Sequence, residues 1–253
     1  MRATSGREIS AVILDLDDTL VSSYRRPDLA WRAVCEDFRI EFGSVTVSEA
    51  ATVLEAAGRA VWDVPLRHAM GRADPQKARR IIVEDGFSRL RRAGRPTPSP
   101  EAGVRLADAF SRHREERAAL EPGALEMLAS LKAAGYRLAL LTNGQGPLQR
   151  AKIERFGLAG YFDHIQIEGE TGVGKPDVAA YDLLFKALAV GPETVCVVGD
   201  SLAWDIVMPK QWGCLTVLYD PDGIESRRSV NGTADVVVQT LASVAVLLGG
   251  KTI

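Results

Sequence analysis

Apolar and polar positions change rhythm twice along the chain. The opening segment "SAVILDLDDTL" is a short apolar run that ends in acids. That is the pattern of a buried parallel strand whose C-terminal end delivers polar groups. From about residue 22 to about 119 no comparable run occurs and the period is helical. Trp31, Val34, Phe38 and Phe42 recur at i, i+3, i+7 and i+11, one apolar stripe. In "TVSEAATVLEAAGRAVW", Thr46 stands three residues before Glu49, the capping-box signature of a second helix. "DPQKARRIIVEDGFSRLRRAG" opens with Asp74 as N-cap and Pro75 as first helical residue, and closes on Gly94. "RPTPSPE" breaks the chain before a last helix through "AGVRLADAFSRHREERAAL".

After about residue 120 helix and strand alternate. "PGALEMLASLKAAG", "GPLQRAKIERFG" and "DVAAYDLLFKALAV" predict helices; "YRLALLTN", "FDHIQIEG", "TVCVVGD", "CLTVLYD" and "ADVVVQT" predict strands. Alternation at this spacing implies right-handed βαβ crossovers, so the fold class is α/β: a Rossmann-like, doubly wound parallel sheet. The first strand belongs to that sheet. The expected organisation is therefore a discontinuous core, residues 1–21 and 120–253, with a helical domain, residues 22–119, inserted after its first strand.

Composition adds exclusions. Of 253 residues 46 % are apolar and 25 % charged, as in an ordinary globular protein, and a net charge of −2 gives no reason to expect nucleic acid or an anionic membrane as partner. The first ten residues lack the apolar centre of a signal peptide, and "LASVAVLLGG" is too short to span a bilayer, so a cytoplasmic protein, monomer or homodimer, is expected. Cys35, Cys196 and Cys214 are widely separated and fit buried thiols better than a disulfide frame or a zinc site. Asn231-Gly232-Thr233 reads as a turn. The predicted insert carries 18 Lys/Arg against 14 Asp/Glu, a net of +4, which leaves −6 on the core. A basic insert and an acidic core suit an anionic substrate with a metal ion.

Ligands of open parallel sheets bind at the C-terminal ends of the strands. Here those ends carry Asp15, Asp17, Asp18 and Thr19; Thr142 and Asn143; and Gly199, Asp200, Ser201 and Asp205, with Lys175 in the loop after the third strand. So many carboxylates around one lysine would force some to take up protons unless a further cation joined them. Magnesium takes hard oxygen ligands and bridges carboxylates to a substrate phosphate, which makes Mg2+ the expected cofactor. One Asp can attack phosphorus while another, two residues on along a strand end, moves protons. Thr142, Asn143 and backbone N–H groups opening the next helix are candidate donors to the phosphoryl oxygens. Asp18 reads as a surface or turn-capping residue.

"DLDDTL", "LLTNG", "GKPD" and "GDSLAWD" stand in the order and spacing of the four motifs of the haloacid dehalogenase-like (HAD) hydrolase superfamily, which this chain resembles across its whole core. The insertion point resembles the subclass with a helical cap after the first strand. The resemblance implies a phosphohydrolase with Asp15 as nucleophile and Asp17 as general acid/base. Asp17 would also lend its backbone carbonyl to the metal beside Asp15 and Asp200. Thr142 and Lys175 would bind phosphate, with Thr19, Ser201 and Asp205 supporting. "LLTNGQGPLQRAKIERFGLAGYFD" looks most like the branch of pyrimidine nucleotidases and N-acylneuraminate-9-phosphate phosphatase, so a small phosphorylated metabolite, a nucleotide or sugar phosphate, is expected. The alternatives are a 2-haloacid dehalogenase, which generally lacks the second Asp, a phosphomutase, and a non-catalytic phospholigand-binding module.

Candidates for substrate contact in the insert are Arg25, Arg26, Trp62, Arg67, His68 and Arg72, each with a packing or solvent-facing alternative. "SRHREER" reads as stem. One competing motif needs settling: Gly169 to Lys175 spells G-x-x-x-x-G-K, the start of a P-loop. Pro176 stands where the magnesium-binding hydroxyl would be, and it fits the first turn of the next helix instead.

Overall fold

The computed structural model describes residues 7–22, 25–62, 71, 74–228 and 233–249. The chain divides into two compact units, Met1–Ser22 with Ala119–Ile253, and Ser23–Ala118.

The first unit is built on six parallel strands. They are β1 (Ala11–Leu14), β4 (Arg137–Thr142), β5 (His164–Ile167), β6 (Val195–Gly199), β7 (Leu215–Tyr219) and β8 (Val236–Val238), in the order β5-β4-β1-β6-β7-β8. All six predicted strands are present, and the α/β expectation holds. β1 lies between β4 and β6, with Leu14 level with Leu140 on one side and Val198 on the other. The chain therefore builds outward in both directions from β1, and this reversal of strand order is where such sheets open a crevice for ligands.

Four longer helices accompany these strands. Three are α5 (Ala124–Ala133), α6 (Gly146–Arg155) and α8 (Val178–Leu188); α11 (Leu241–Leu248) is the last, and the short α9 (Val207–Gln211) follows β6. Shorter turns fill β5 to α8 (α7, Glu168–Thr171) and β7 to β8 (α10, Ile224–Arg228). On one sheet face Ile13, Leu141 and Val197 pack with Tyr181, Leu184 and Phe185 of α8. The sequence pattern did not predict the short helices α7, α9 and α10, nor one further pairing. β2 (Val21–Ser22) pairs antiparallel with β3 (Ala119–Leu120), a two-stranded ladder at the two points where the chain changes unit.

The second unit is helical: α1 (Pro27–Asp37), α2 (Val47–Trp62), α3 (Pro75–Arg92) and α4 (Pro100–Arg117). The two predicted caps, Thr46 and Asp74, are in place, and Ser99 adds a third. The Thr46 hydroxyl accepts from Glu49 N–H, Asp74 accepts from Lys77 N–H, and Ser99 accepts from Ala102 N–H. Glu49 does not complete the capping box; its carboxylate pairs with Arg95 at 2.9 Å. The aromatic stripe outlasts its helix. α1 ends at Asp37, yet Phe42 is buried and meets Phe87 edge-on at 5.9 Å, while Trp31 stacks on Phe110 at 3.7 Å. Among the described residues no helix is long and apolar enough to cross a membrane. Cys35, Cys196 and Cys214 are buried and free, as expected.

Candidate active site

β1 stops at Leu14, but its ladder runs one residue further, because Asp15 N–H donates to Val198 O at 3.0 Å. This fixes the Asp15 carboxylate at the mid-sheet opening between β4 and β6. The chain then turns tightly. Leu20 and Val21 N–H both donate to Leu16 O, and Asp18 takes the left-handed conformation at φ 63°. Asp18 is the turn residue anticipated, but not a surface one: it is only 6 % exposed, and its charge bears on Asp200.

Lys175 Nζ lies 2.5 Å from Asp15 Oδ1 and 2.6 Å from Asp205 Oδ1, all three groups buried. Burial alone would lower the lysine's pKa, but the two carboxylates outweigh it and hold the ammonium above its ordinary range. The loop carrying Lys175 is held from below by Asn143, whose Oδ1 accepts from Lys175 N–H and whose Nδ2 donates to Lys175 O, both at 2.8 Å. Asn143 was expected to face phosphate; its amide instead grips the lysine's backbone, because that backbone has no ladder partner of its own. Gly174 leaves the room. A Cβ there would lie 2.5 Å from Asn143 Oδ1 and 2.7 Å from Glu168 Cδ.

The P-loop reading fails on geometry as well as on sequence. Glu168–Thr171 form a helical turn, and α8 starts only at Val178 with Asp177 as N-cap, its side chain accepting from Ala179 N–H at 2.9 Å. Pro176 thus precedes the cap rather than filling the first turn, a correction to its expected place.

Asp205 reaches the centre through an unusual turn. Leu202–Ile206 form a π-helical turn, wider than an α-turn, which folds Asp205 back over the end of β6. Gly199 makes this possible, since a Cβ there would collide with the Asp205 carboxylate. Asp205 is 2 % exposed; its Oδ2 accepts from Ser201 N–H at 3.1 Å. With its other oxygen on Lys175, Asp205 is largely committed to protein partners. Asp200 is only partly enclosed and has the Thr19 hydroxyl at 3.3 Å.

Carboxylate oxygens of Asp15, Asp200 and Asp205 come within 4.8 Å of one another, a group that could hold a metal ion. Three carboxylates face one ammonium there, so the cluster is short of positive charge. The titration tendencies say the same: burial, only partly offset by Lys175, pushes Asp15 up to about 7, and burial with the charges of Asp15, Asp205 and Asp18 pushes Asp200 up. An all-oxygen donor set with excess negative charge fits a hard divalent cation.

Asp17 is served by different partners. Lys152 Nζ meets its Oδ1 at 2.5 Å and Gln149 Nε2 its Oδ2 at 2.8 Å, both from α6; Gln149 Nε2 also lies 2.6 Å from Thr142 Oγ1. The site therefore has two lysines, not the single one anticipated, and Gln149 and Lys152 are the residues sequence reasoning missed. Their spacing of three on a predicted helix was the available signal.

Asp15, Asp17, Thr19, Thr142, Asn143, Lys175, Asp200, Ser201 and Asp205 are thus gathered at one end of one sheet, within the first unit. The candidates of the second unit stand apart from this account. Arg25 is half-buried, Arg26 makes a bidentate pair with Asp28 at 2.7 and 2.9 Å, and Trp62 packs against that unit's own core. Arg67, His68 and Arg72 lie outside the described residues.

Residues 9–213 match the family model of the haloacid dehalogenase-like hydrolases. The chain belongs to that family. It is similar to a phosphoserine phosphatase of Thermus thermophilus, 35 % identical over 83 % of this chain and 88 % of the relative. It is also similar to a ribulose-1,5-bisphosphate 5-phosphatase of Halopiger xanaduensis, 30 % identical over 94 % of this chain and 99 % of the relative. A pyrimidine 5′-nucleotidase of Streptococcus pneumoniae, 25 % identical over 89 % of this chain and 90 % of its own, is among the relatives too, in line with the expected nucleotidase resemblance. The HAD hydrolase YfnB of Bacillus subtilis shares the fold, with a TM-score of 0.69 at 22 % identity over 96 % of this chain and 99 % of that one. With relatives of this kind along most of its length, the chain is an enzyme of the phosphatase side of the HAD family.

Proposed function

We propose that this HAD enzyme is a magnesium-dependent phosphomonoester hydrolase that works through an aspartyl-phosphate on Asp15, acting on a small phosphorylated metabolite. The observation that carries the reading is the placement of two carboxylates, two residues apart, in two unlike environments. Asp15 sits buried between Lys175 and the Asp200–Asp205 acids, and Asp17 sits against Gln149 and Lys152. Unlike settings are what divide two like groups into nucleophile and proton carrier.

Asp15, Asp200 and the backbone carbonyl of Asp17 would hold Mg2+, with Asp205 steadying the set from behind through Ser201 and Lys175. The ion, when bound, would neutralise the anionic oxygens of the phosphoryl group. An Asp15 oxygen then attacks phosphorus and the bond from phosphorus to the ester oxygen breaks. That oxygen takes a proton from Asp17. Asp17, now a base, removes a proton from water as the water attacks phosphorus, and the Asp15–phosphorus bond breaks to release inorganic phosphate. Lys175 and the Thr142 hydroxyl bind the transferring group during both steps. The names of the relatives support phosphate esters of small molecules, and YfnB, solved bound to magnesium, supports the metal. The helical unit is proposed to act as the cap that selects the leaving group.

The test is phosphate release across phosphoserine, sugar phosphates, sugar bisphosphates and nucleoside monophosphates. Activity is expected with Mg2+ and not with chelator, and Asp15→Asn should be folded yet reduced by about 10³-fold or more. Full turnover by Asp15→Asn would sink the mechanism, and metal-independent halide release from a 2-haloacid would replace the reaction.

A further inference from the structure

α6 leaves the phosphate-binding loop and presents Gln149 and Lys152, three residues apart and so on one face, to the turn after β1. Together they take both oxygens of Asp17, Oδ1 by Lys152 at 2.5 Å and Oδ2 by Gln149 at 2.8 Å. Gln149 is 3 % exposed, and the acceptors around its amide nitrogen are Asp17 Oδ2, Thr142 Oγ1 at 2.6 Å and Asn143 O at 3.0 Å. Two amide protons thus serve three acceptors, each belonging to a chain segment that carries chemistry. Burying a glutamine amide for stability alone requires only that some backbone satisfy it. This one ties the proposed proton carrier to the proposed phosphate-binding hydroxyl at fixed spacing. Lys152 is the counterpart of Lys175: Asp15 and Asp17 each have their own lysine, from a different element.

We propose that Gln149 and Lys152 are positioning residues for Asp17. They hold its carboxylate beside Thr142, where it can reach the ester oxygen of a phosphate bound there, and they stop it from turning into the Asp15–Lys175 cluster. The proposal rests on the phosphatase reading given above. Its consequence is specific to the leaving group. An alkoxide leaves badly without a proton, whereas p-nitrophenolate leaves readily, so loss of a well-placed acid penalises the first far more than the second.

The experiment measures the first-turnover rate of leaving-group release, with Mg2+, from O-phosphoserine or glycerol phosphate and from p-nitrophenyl phosphate. Lys152→Met is expected to lower the alkyl rate on the order of ten- to a hundred-fold and the aryl rate less than about three-fold, with KM little changed. Lys152→Arg should restore most of the alkyl rate. Gln149→Met, whose side chain has similar volume but no donor, should repeat the ester-dependent pattern if Lys152→Met fails to fold. Equal losses on both esters, or no loss on either, overturn the inference while leaving the phosphatase reading intact. A wild-type chain that releases phosphate from no ester of the panel above, with Mg2+, overturns that reading, and this inference with it.

Discussion

Asn143 shows how a residue can be legible as important and still be misread. Its position after β4 marks it as part of the site, but its side chain serves the Lys175 backbone with a matched pair of 2.8 Å hydrogen bonds. Nothing in a local motif tells whether an amide faces ligand or loop, since that depends on a segment 32 residues away. The effect on Lys175 is testable. Asn143→Ala strips the partner from Lys175 N–H and frees the loop that aims its ammonium, so kcat should fall about ten-fold or more while the protein loses about 1–3 kcal/mol. Asn143→Asp keeps the acceptor and loses the donor, and should lie between. Steady-state kinetics with denaturant titration decides it; an alanine variant as active and stable as wild type would exclude this role for Asn143. Asp15, Thr142, Lys175, Asp200 and Asp205 were legible because each stands at a strand end or in the loop after one. Gln149 and Lys152 were not, because their aim depends on how α6 is rotated against the β1 turn.

At the scale of elements, the strands and long helices could be read from period alone, whereas their junctions required tertiary information. The β2–β3 ladder has two residues a strand, too few to leave a pattern. The π-turn at Leu202–Ile206 departs from the ordinary helical repeat, and it is what brings Asp205 inward. The end of β7 is a further case. Asp220 looks like a plain strand-terminal acid, yet its carboxylate accepts from the N–H groups of Ile224, Glu225 and Ser226 at 2.9, 3.3 and 2.8 Å and so organises the β7–α10 loop. Burial disfavours its charge, but the Ser226 side chain and these amides outweigh that and hold its pKa below the ordinary value. A depressed carboxyl contributes stability above its unfolded pKa, near ~4, and loses it as pH falls through the lower folded value. Asp220→Asn should therefore cost about 1–2 kcal/mol at pH 7, and the gap to wild type should narrow as pH falls below about 4. Urea unfolding at several pH values measures this. A gap independent of pH would mean the acid's charge plays no part.

For the molecule as a whole, the question is what the acidic cluster costs the fold when no cation is present. Asp15, Asp200 and Asp205 share one ammonium, and burial drives Asp15 to about 7 and Asp200 upward as well. A carboxyl with a raised folded pKa contributes most below its unfolded value and loses that contribution as pH rises through the folded one. The metal-free protein should accordingly lose stability from these groups between about pH 4 and pH 7. A divalent cation reverses the loss by supplying the missing charge, and it competes with protons for the same oxygens. Mg2+ at about a hundred times its dissociation constant should add about 2.7 kcal/mol, which for a chain of this size raises Tm by about 5 to 11 °C. The rise should be larger at pH 8 than at pH 5, and Asp200→Asn should abolish most of it. The variant should itself be at least as stable as wild type in chelator, since it removes a charge the metal-free cluster cannot neutralise. Thermal unfolding of both proteins at the two pH values, with Mg2+ and with chelator, separates this from general salt stabilisation. Equal shifts in wild type and Asp200→Asn would place the ion elsewhere.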